Sequence, residues 1–185
     1  MIDLKLRIVL EGLGRVIVDN MRKQLETKKI SATSVRQKDG KVTEKNYSSV
    51  PKATGKSARS LRYEVTEEGN ILIYGEASIL TLVFGRKPTS GSGSGKLKDI
   101  IKQWMSAKGI KPETGMSEDT LAFLIARKIH RYGSGIYIKH QGANSGLFNK
   151  AFDASNLKQF TDALRLTYEG LFVEAMQQLR QGNGK

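Results

Sequence analysis

Apolar residues recur every three or four positions in four stretches of the chain, the spacing that places them on one face of a helix. These stretches cover residues 3–28, 96–107, 117–132 and 156–181. The pattern predicts a long N-terminal helix, two central helices and a long C-terminal helix. Gly12 and Gly14 each weaken the interior of the first helix by roughly 1 kcal/mol. The helix is therefore predicted to bend there or to be approached closely by another backbone.

The ends of the two central helices carry residues that are typical of helix boundaries. Ser117 precedes the second central helix as an N-cap whose hydroxyl can accept a backbone hydrogen bond. Gly109 and Gly133 follow the two helices at the position where a left-handed residue ends a helix. These signals fix the predicted limits of both helices.

A β-hairpin is predicted between the N-terminal helix and the first central helix. Apolar and polar residues alternate over 61–66, Gly69-Asn70 is a turn signal, and residues 71–74 continue the strand pattern. The apolar run over 77–84 is compatible with either a helix or a strand. The predicted fold class is α+β, with a small antiparallel, hairpin-based sheet packed against the four helices.

Two segments lack apolar periodicity and are predicted to be flexible. Residues 30–54 are rich in Ser, Thr, Lys and Gln, and residues 85–96 are rich in Gly and Ser. The Gly-rich stretch around Ile136 and Ile138 is predicted to be a loop or an extended arm. Because the pieces on either side of these segments are too small to fold alone, residues 1–185 are predicted to form a single domain.

Positive charge is concentrated in one part of the chain. The formal net charge is +13, and residues 22–62 hold twelve basic and three acidic residues. Clustered basic charge attracts polyanions regardless of their sequence. The segment is either a solvated basic loop or a surface that contacts DNA or an acidic partner.

The chain has no segment that predicts a membrane span or a secretory signal. Its longest apolar stretch, Ile79–Phe84, is too short to cross a bilayer. The N-terminus carries charges in place of the apolar run of a signal peptide. A soluble protein that is made and assembled in the cytoplasm is expected.

No residue pattern predicts catalysis, a cofactor or a metal ion. Gly55-Lys56-Ser57 resembles the end of a phosphate-binding loop, but Val50 stands where that motif needs glycine. His130 and His140 are the only histidines, and neither has a metal-ligand partner at a suitable spacing. The chain also contains no cysteine. A non-enzymatic protein without cofactors is therefore expected.

Trp104, the only tryptophan, falls on the predicted inner face of the helix over 96–107, together with Leu97, Ile100, Ile101 and Met105. A large aromatic side chain at such a position is predicted to anchor the core. Contact with another subunit is the alternative interpretation.

The order of several short segments resembles the neck and tail-completion proteins of tailed bacteriophages, also described as tail-component or head–tail connector proteins. After a long N-terminal helix the segments are Thr54-Gly55-Lys56-Ser57-Ala58-Arg59-Ser60-Leu61, a hairpin, Leu82-Val83-Phe84-Gly85-Arg86, a helix with Trp104 and Lys108-Gly109-Ile110, a helix with Ile125-Ala126-Arg127-Lys128-Ile129, Gly133-Ser134-Gly135, Gly146-Leu147-Phe148 with Ala151, and a final amphipathic helix. The resemblance covers roughly residues 50–180. Gly146-Leu147-Phe148 lacks the proline of the family pattern, and the basic segment 30–54 is long for the family.

The resemblance implies a structural virion protein that forms a homo-oligomeric ring between the capsid portal and the tail. Neighbouring neck, portal or tail proteins would be its partners, and packaged DNA would pass through with non-specific contacts. Segments 30–54 and 86–95 are expected to contact neighbours. The candidate interface or DNA-facing residues are Lys52, Lys56, Arg59, Arg86 and Lys87. The alternative is a sequence-independent nucleic-acid-binding protein that uses a basic surface; a small enzyme such as a nuclease has no residue constellation in its favour.

Overall fold

The structure is a computed structural model, and it describes residues 2–39, 41–51, 54–90 and 95–182. The predicted α+β class is confirmed, with two separate two-stranded antiparallel sheets among the helices of these residues. The elements are α1 (Leu4–Thr27), β1 (Ile30–Lys38), β2 (Lys41–Ser49), α2 (Lys56–Ser60), β3 (Arg62–Val65), β4 (Ile71–Tyr74), α3 (Ser78–Phe84), α4 (Lys96–Lys108), α5 (Glu118–Tyr132), α6 (Gly135–His140) and α7 (Ala154–Gly182), with a 3-10 helix at Asn149–Phe152.

The four predicted long helices and the predicted hairpin are present, and their boundary signals act as expected. The Ser117 hydroxyl accepts a hydrogen bond from the backbone N–H of Thr120, 3.1 Å away, at the start of α5. Gly109 ends α4 in the left-handed conformation, with φ of 64°. The ambiguous apolar run before Gly85 forms helix α3.

The prediction of an irregular loop over 30–54 was wrong. Strands β1 and β2 pair over nine residues each, from Ile30 opposite Ser49 to Lys38 opposite Lys41. Strand pairing is made by backbone groups, so a segment rich in Ser, Thr and Lys can form it. The three apolar residues that β1 buries, Ile30, Ala32 and Val35, are too few to give a periodic signal.

Two other sequence predictions were wrong. The stretch that was expected to be a loop or arm around Ile136 forms helix α6, which is capped by Ser134. Ile100 and Trp104 do not point into a core, since they are 57% and 39% exposed. The prediction that Leu97, Ile101 and Met105 face inward is confirmed, since these residues, which repeat every four positions, form the buried side of α4.

The chain groups into two compact units, where the sequence predicted one domain. The terminal unit consists of Met1–Met21, Leu61–Tyr74 and Asn149–Lys185, and the central unit consists of Arg22–Ser60 and Gly75–Phe148. In the terminal unit, Leu6 and Leu10 of α1 are buried with Val65 of β3. In the central unit, the buried side of α4 packs against Ala122 and Ala126 of α5, both of which are fully buried.

Aromatic side chains of the terminal unit explain the two glycines in α1. A methyl group on Gly14 would overlap the ring of Tyr63, and one on Gly12 would lie 3.1 Å from the ring of Phe160. The sequence had predicted a bend or a close backbone, and the structure shows side-chain rings at both positions. Glycine therefore lets β3 and α7 approach α1 closely.

Among the described residues, no helix is both long enough and apolar enough to cross a lipid bilayer. The longest helices, α1 and α7, carry charged residues along their whole length.

Replacing Ile101 by Ala is expected to destabilise the protein far more than replacing its neighbour Ile100. Ile101 is 9% exposed within the α4–α5 cluster, whereas Ile100 is 57% exposed. The Ile101→Ala substitution removes buried methyl groups and leaves a cavity, which typically costs about 2–4 kcal/mol. Chemical unfolding of both variants measures the difference. Equal losses of unfolding free energy would contradict the described orientation of α4.

Gly14→Ala is expected to lower stability although alanine favours helices. The added methyl group meets the Tyr63 ring, so either the ring or the helix must shift. Gly170→Ala in α7 is the matched control, because nothing lies within 4 Å of its added methyl group. That control is expected to gain up to about 1 kcal/mol. Thermal unfolding at dilute protein concentration compares the two, and a gain in both variants would argue against the Tyr63 contact.

Candidate interaction surfaces

The two compact units differ sharply in charge. The central unit contains 22 Lys and Arg against eight Asp and Glu, which gives +14. The terminal unit contains nine Lys and Arg against ten Asp and Glu, which gives −1. The net positive charge of the chain therefore comes entirely from the central unit. The difference in net charge between the units cannot be seen along the sequence, because each unit is assembled from separate stretches of chain.

The β1–β2 hairpin of the central unit has one strongly basic side. Side chains alternate between the two sides of a strand, and paired residues point the same way. The register puts Arg36, Lys41 and Lys45 on one side of the hairpin, while Val35 and its partner Glu44 lie on the other. All nine residues of β2 are exposed. The hairpin therefore presents a row of cations to solvent.

The C-terminal part of α5 contacts β1 through Gln37, which lies on the side of the hairpin opposite the cations. The Tyr132 hydroxyl donates a hydrogen bond to the side-chain oxygen of Gln37, 3.1 Å away, which ties α5 to β1. Burial lowers the pKa of Lys128, and the nearby positive charge of Arg36 lowers that pKa further. Within the described chain, no carboxylate lies within ion-pair distance of Arg36, Lys41, Lys45 or Lys128. We call these four residues the cationic face.

Of the candidates named from the sequence, Lys56 and Arg59 lie in α2, and neither joins the cationic face. Lys52 lies outside the described residues. The Lys56 ammonium group is 2.7 Å from the carboxylate of Glu76. The Arg59 guanidinium donates a hydrogen bond to the backbone oxygen of Thr54, 3.1 Å away. Lys56 and Arg59 thus hold neighbouring segments of the central unit in place.

The backbone of Arg86 is hydrogen-bonded to the junction between α5 and α6. Its backbone N–H donates to the Ser134 hydroxyl, and its backbone oxygen accepts from the Ser134 N–H, both at 2.8 Å. A methyl group on Gly133 would lie 2.8 Å from the same oxygen. Two of the short sequence segments behind the family resemblance, around Arg86 and Gly133, are therefore neighbours in space.

The side chains of Arg86 and Lys87 differ in exposure. Arg86 is half-buried, and its Nε atom is buried without a hydrogen-bond partner among the described residues. Lys87 is exposed, as is the part of the predicted loop that directly follows it, whereas residues 91–94 lie outside the described chain. Of these two candidates, only Lys87 has the exposure that an interface contact needs.

The residues of the cationic face were missed by reading the sequence. Side chains alternate between the two sides of a strand. This alternation puts Arg36, Lys41 and Lys45 on one side only when residues 30–49 form a hairpin with a turn near Asp39. Asp39 has a φ of 50°, a left-handed conformation that Asp tolerates better than most residues. The Lys-Asp-Gly-Lys sequence at this turn was the available signal for the hairpin.

Helix α7 of the terminal unit exposes large apolar side chains on two flanks. Leu166 and Val173, seven residues apart, lie on one flank and are 62% and 52% exposed. Tyr168, Phe172 and Met176 recur every four residues on the other flank, and Phe172 is 67% exposed. At 3.6 residues per turn, the flanks are roughly 110° apart. A third side carries Leu164 and packs on the core of the unit.

The start of α1 continues the exposed apolar surface of the terminal unit. Leu4 and Ile8, one helical turn apart, are 71% and 64% exposed and line a shallow open depression with Arg7 and Glu11. The Lys5 ammonium group, 2.8 Å from the Glu174 carboxylate, joins this part of α1 to α7. The two helices therefore carry exposed apolar residues on either side of an ion pair.

Neither histidine belongs to a metal site in the described structure. In this part of the chain, no three His, Cys, Asp or Glu side chains converge as metal ligands. His140 Nε2 lies 3.1 Å from the backbone oxygen of Ser31, and His130 Nδ1 lies 2.5 Å from the Thr89 hydroxyl. Both rings thus make local contacts within the central unit.

Arg36→Gln is expected to raise the pKa of Lys128 towards the ordinary lysine value. The substitution removes a positive charge that disfavours the ammonium form, while the burial of Lys128 is retained. NMR titration of the lysine side-chain resonances measures the shift. Lys111→Gln, which removes an exposed charge elsewhere in the central unit, is the control and is expected to leave this pKa unchanged. An unaltered pKa in Arg36→Gln would contradict the proximity of the two cations.

Comparison with known proteins gives no relative for this chain. No protein family, no curated protein and no solved structure matches it.

Proposed function

We propose that this chain is a structural subunit of a tailed-phage virion, one member of a ring in the neck or tail-completion region. The ring would connect the capsid portal to the tail and let DNA pass, with neighbouring neck, portal or tail proteins as partners. Assembly would be its whole activity, without catalysis. The exposed apolar flanks of α7 are the observation that carries the proposal, and the order of the sequence segments supports it.

A helix that packs only on its own core needs a single apolar side, whereas α7 carries large apolar residues beyond that side, among charged ones. In α7 the core side is covered within the terminal unit, but Leu166 and Phe172, on different flanks, are both more than 60% exposed. Exposed Phe, Tyr and Met are also the residue types that are enriched in protein interfaces. Contact with another copy of the chain would bury these residues.

Charge favours the terminal unit as the place where copies meet. Two central units would bring +14 against +14, and like charges in contact oppose association. The terminal unit, at −1, carries almost no net charge to oppose contact. Copies of this chain are therefore expected to associate through α7 and the start of α1.

The presence of two separate flanks suits a ring. A closed ring uses two different surfaces on each subunit, one for each neighbour, whereas a two-fold dimer uses a single surface twice. Gly170 lies between Leu166 and Val173 on one flank, and the space beside its Cα is open. A second helix can approach closely there, which gives a reason for a glycine inside a long helix.

The second candidate function is that of a sequence-independent nucleic-acid-binding protein that acts as a monomer or dimer. The +14 charge of the central unit favours it. Such a protein would hold DNA as an isolated subunit. A ring subunit, in contrast, would assemble through α7 whether or not DNA is present.

The double variant L166Q/V173Q is expected to abolish self-assembly. Light scattering of the wild-type chain, from dilute to concentrated solution without DNA, is expected to show a discrete large oligomer at high concentration. Polar side chains on this flank would lose the apolar burial that drives association, so the variant should remain monomeric. The control V42Q/L80Q changes two aliphatic residues of the central unit with similar exposure, 56% and 61%, and should assemble normally.

Two outcomes would count against the ring. Assembly of L166Q/V173Q at the wild-type concentration would remove α7 as the contact between copies. A wild-type chain that stays monomeric at every concentration, yet binds duplex DNA with a steep salt dependence, would favour the second candidate function.

A further inference from the structure

We propose that the cationic face binds the phosphate backbone of duplex DNA without reading base sequence. The face consists of Arg36, Lys41 and Lys45 on one side of the hairpin and Lys128 at the end of α5. The inference deepens the proposed function, because it names the surface that would meet the DNA. The inference rests on the proposed function only in naming packaged phage DNA as the ligand. DNA binding itself can be measured on the isolated chain.

Among the residues that the structure describes, no carboxylate pairs with the cations of this face. Lys56 is paired with Glu76, and Lys98 and Lys102 share Asp119, so the central unit neutralises cations elsewhere. On the cationic face, by contrast, Arg36 is close enough to Lys128 to disfavour the charged form of that lysine. Such an arrangement costs free energy in the isolated chain and is relieved by an external anion.

The residue types on this side of the hairpin suit phosphate groups. Ser34 and Thr43 lie on the same side as the cations, opposite Lys45 and Arg36 respectively. Hydroxyl, lysine and arginine side chains make most phosphate contacts in protein–DNA complexes. Lysine is depleted in protein–protein interfaces. This composition therefore favours DNA over an acidic protein surface.

The spacing and the aromatic content favour a duplex over a single strand. Lys41, Thr43 and Lys45 follow one another on the same side of β2 at steps of about 6.8 Å, which makes a straight, regular row. Proteins that bind single strands stack bases on exposed aromatic rings. Tyr47, which is 45% exposed and has its hydroxyl against Gly135 of α6, is the one aromatic residue on this side of the hairpin, so successive bases would find no second ring there.

The triple variant R36Q/K41Q/K45Q is expected to weaken binding to a random-sequence duplex and to reduce its salt dependence. Each phosphate contact contributes about 0.9 to the slope of log affinity against log salt, so three lost contacts reduce the slope by about 2.7. Fluorescence anisotropy with a labelled 20-base-pair duplex, over a series of salt concentrations, measures both quantities. Protein concentrations are kept where light scattering shows a monomer.

The matched control is K23Q/K96Q/K111Q, which removes three exposed lysines of the central unit that lie outside the cationic face. The two triple variants have the same net charge. The control is expected to change the slope by less than about 1. Circular dichroism of both variants checks that they are folded.

Three results would overturn the inference. One is wild-type binding by R36Q/K41Q/K45Q, and another is an equal loss in both triple variants, which would show that bulk charge alone attracts DNA. The third is competition by poly-glutamate as effective as that by duplex DNA at equal charge, which would point to an acidic protein partner. Self-assembly is measured without DNA, so a failure of DNA binding would not contradict the ring proposal. Loss of assembly in L166Q/V173Q concerns α7 and not the cationic face.

Discussion

The packing of α6 against β1 depends on the absence of a side chain at Gly135. A methyl group there would lie 2.6 Å from the Tyr47 hydroxyl and 3.0 Å from the backbone oxygen of Thr33. Because α6 can come this close, the apolar residues of β1 are buried and the first strand of the hairpin becomes part of the central unit. The second strand is then held in fixed register by backbone hydrogen bonds, although none of its own residues is buried.

The two strands of the hairpin therefore have different roles. β1 supplies the buried contacts, with Ala32, Thr33 and Val35 all under 5% exposed. β2 supplies exposed polar and charged side chains at positions that the pairing determines. A row of cations on a short two-stranded sheet is stable only if something else anchors the sheet, since an isolated hairpin is marginal in water. Here α6 and the Gln37–Tyr132 hydrogen bond provide the anchor.

The uneven distribution of charge between the two units is the other organising feature. The central unit holds the excess of positive charge and the terminal unit is nearly neutral. The most exposed large apolar residues of the two long helices, Leu4 of α1 and Phe172 of α7, belong to the neutral unit. Chains that associate through a neutral apolar surface can keep a basic surface free for a polyanion. The two proposed activities therefore do not compete for the same residues.

The sequence by itself determined the long helices, their caps and the β3–β4 hairpin, because periodicity and boundary residues such as Ser117 and Gly109 are local signals. It also determined that positive charge is clustered. Only the tertiary structure decided that residues 30–49 form a hairpin, because cross-strand backbone pairing and burial under α6 leave no apolar period. The tertiary structure also decided that Trp104 points outward, since Leu97, Ile101 and Met105, which repeat every four residues, form the buried side of α4. The cationic face likewise depends on register and on the approach of α5 to β1, contacts between residues that are far apart in the chain.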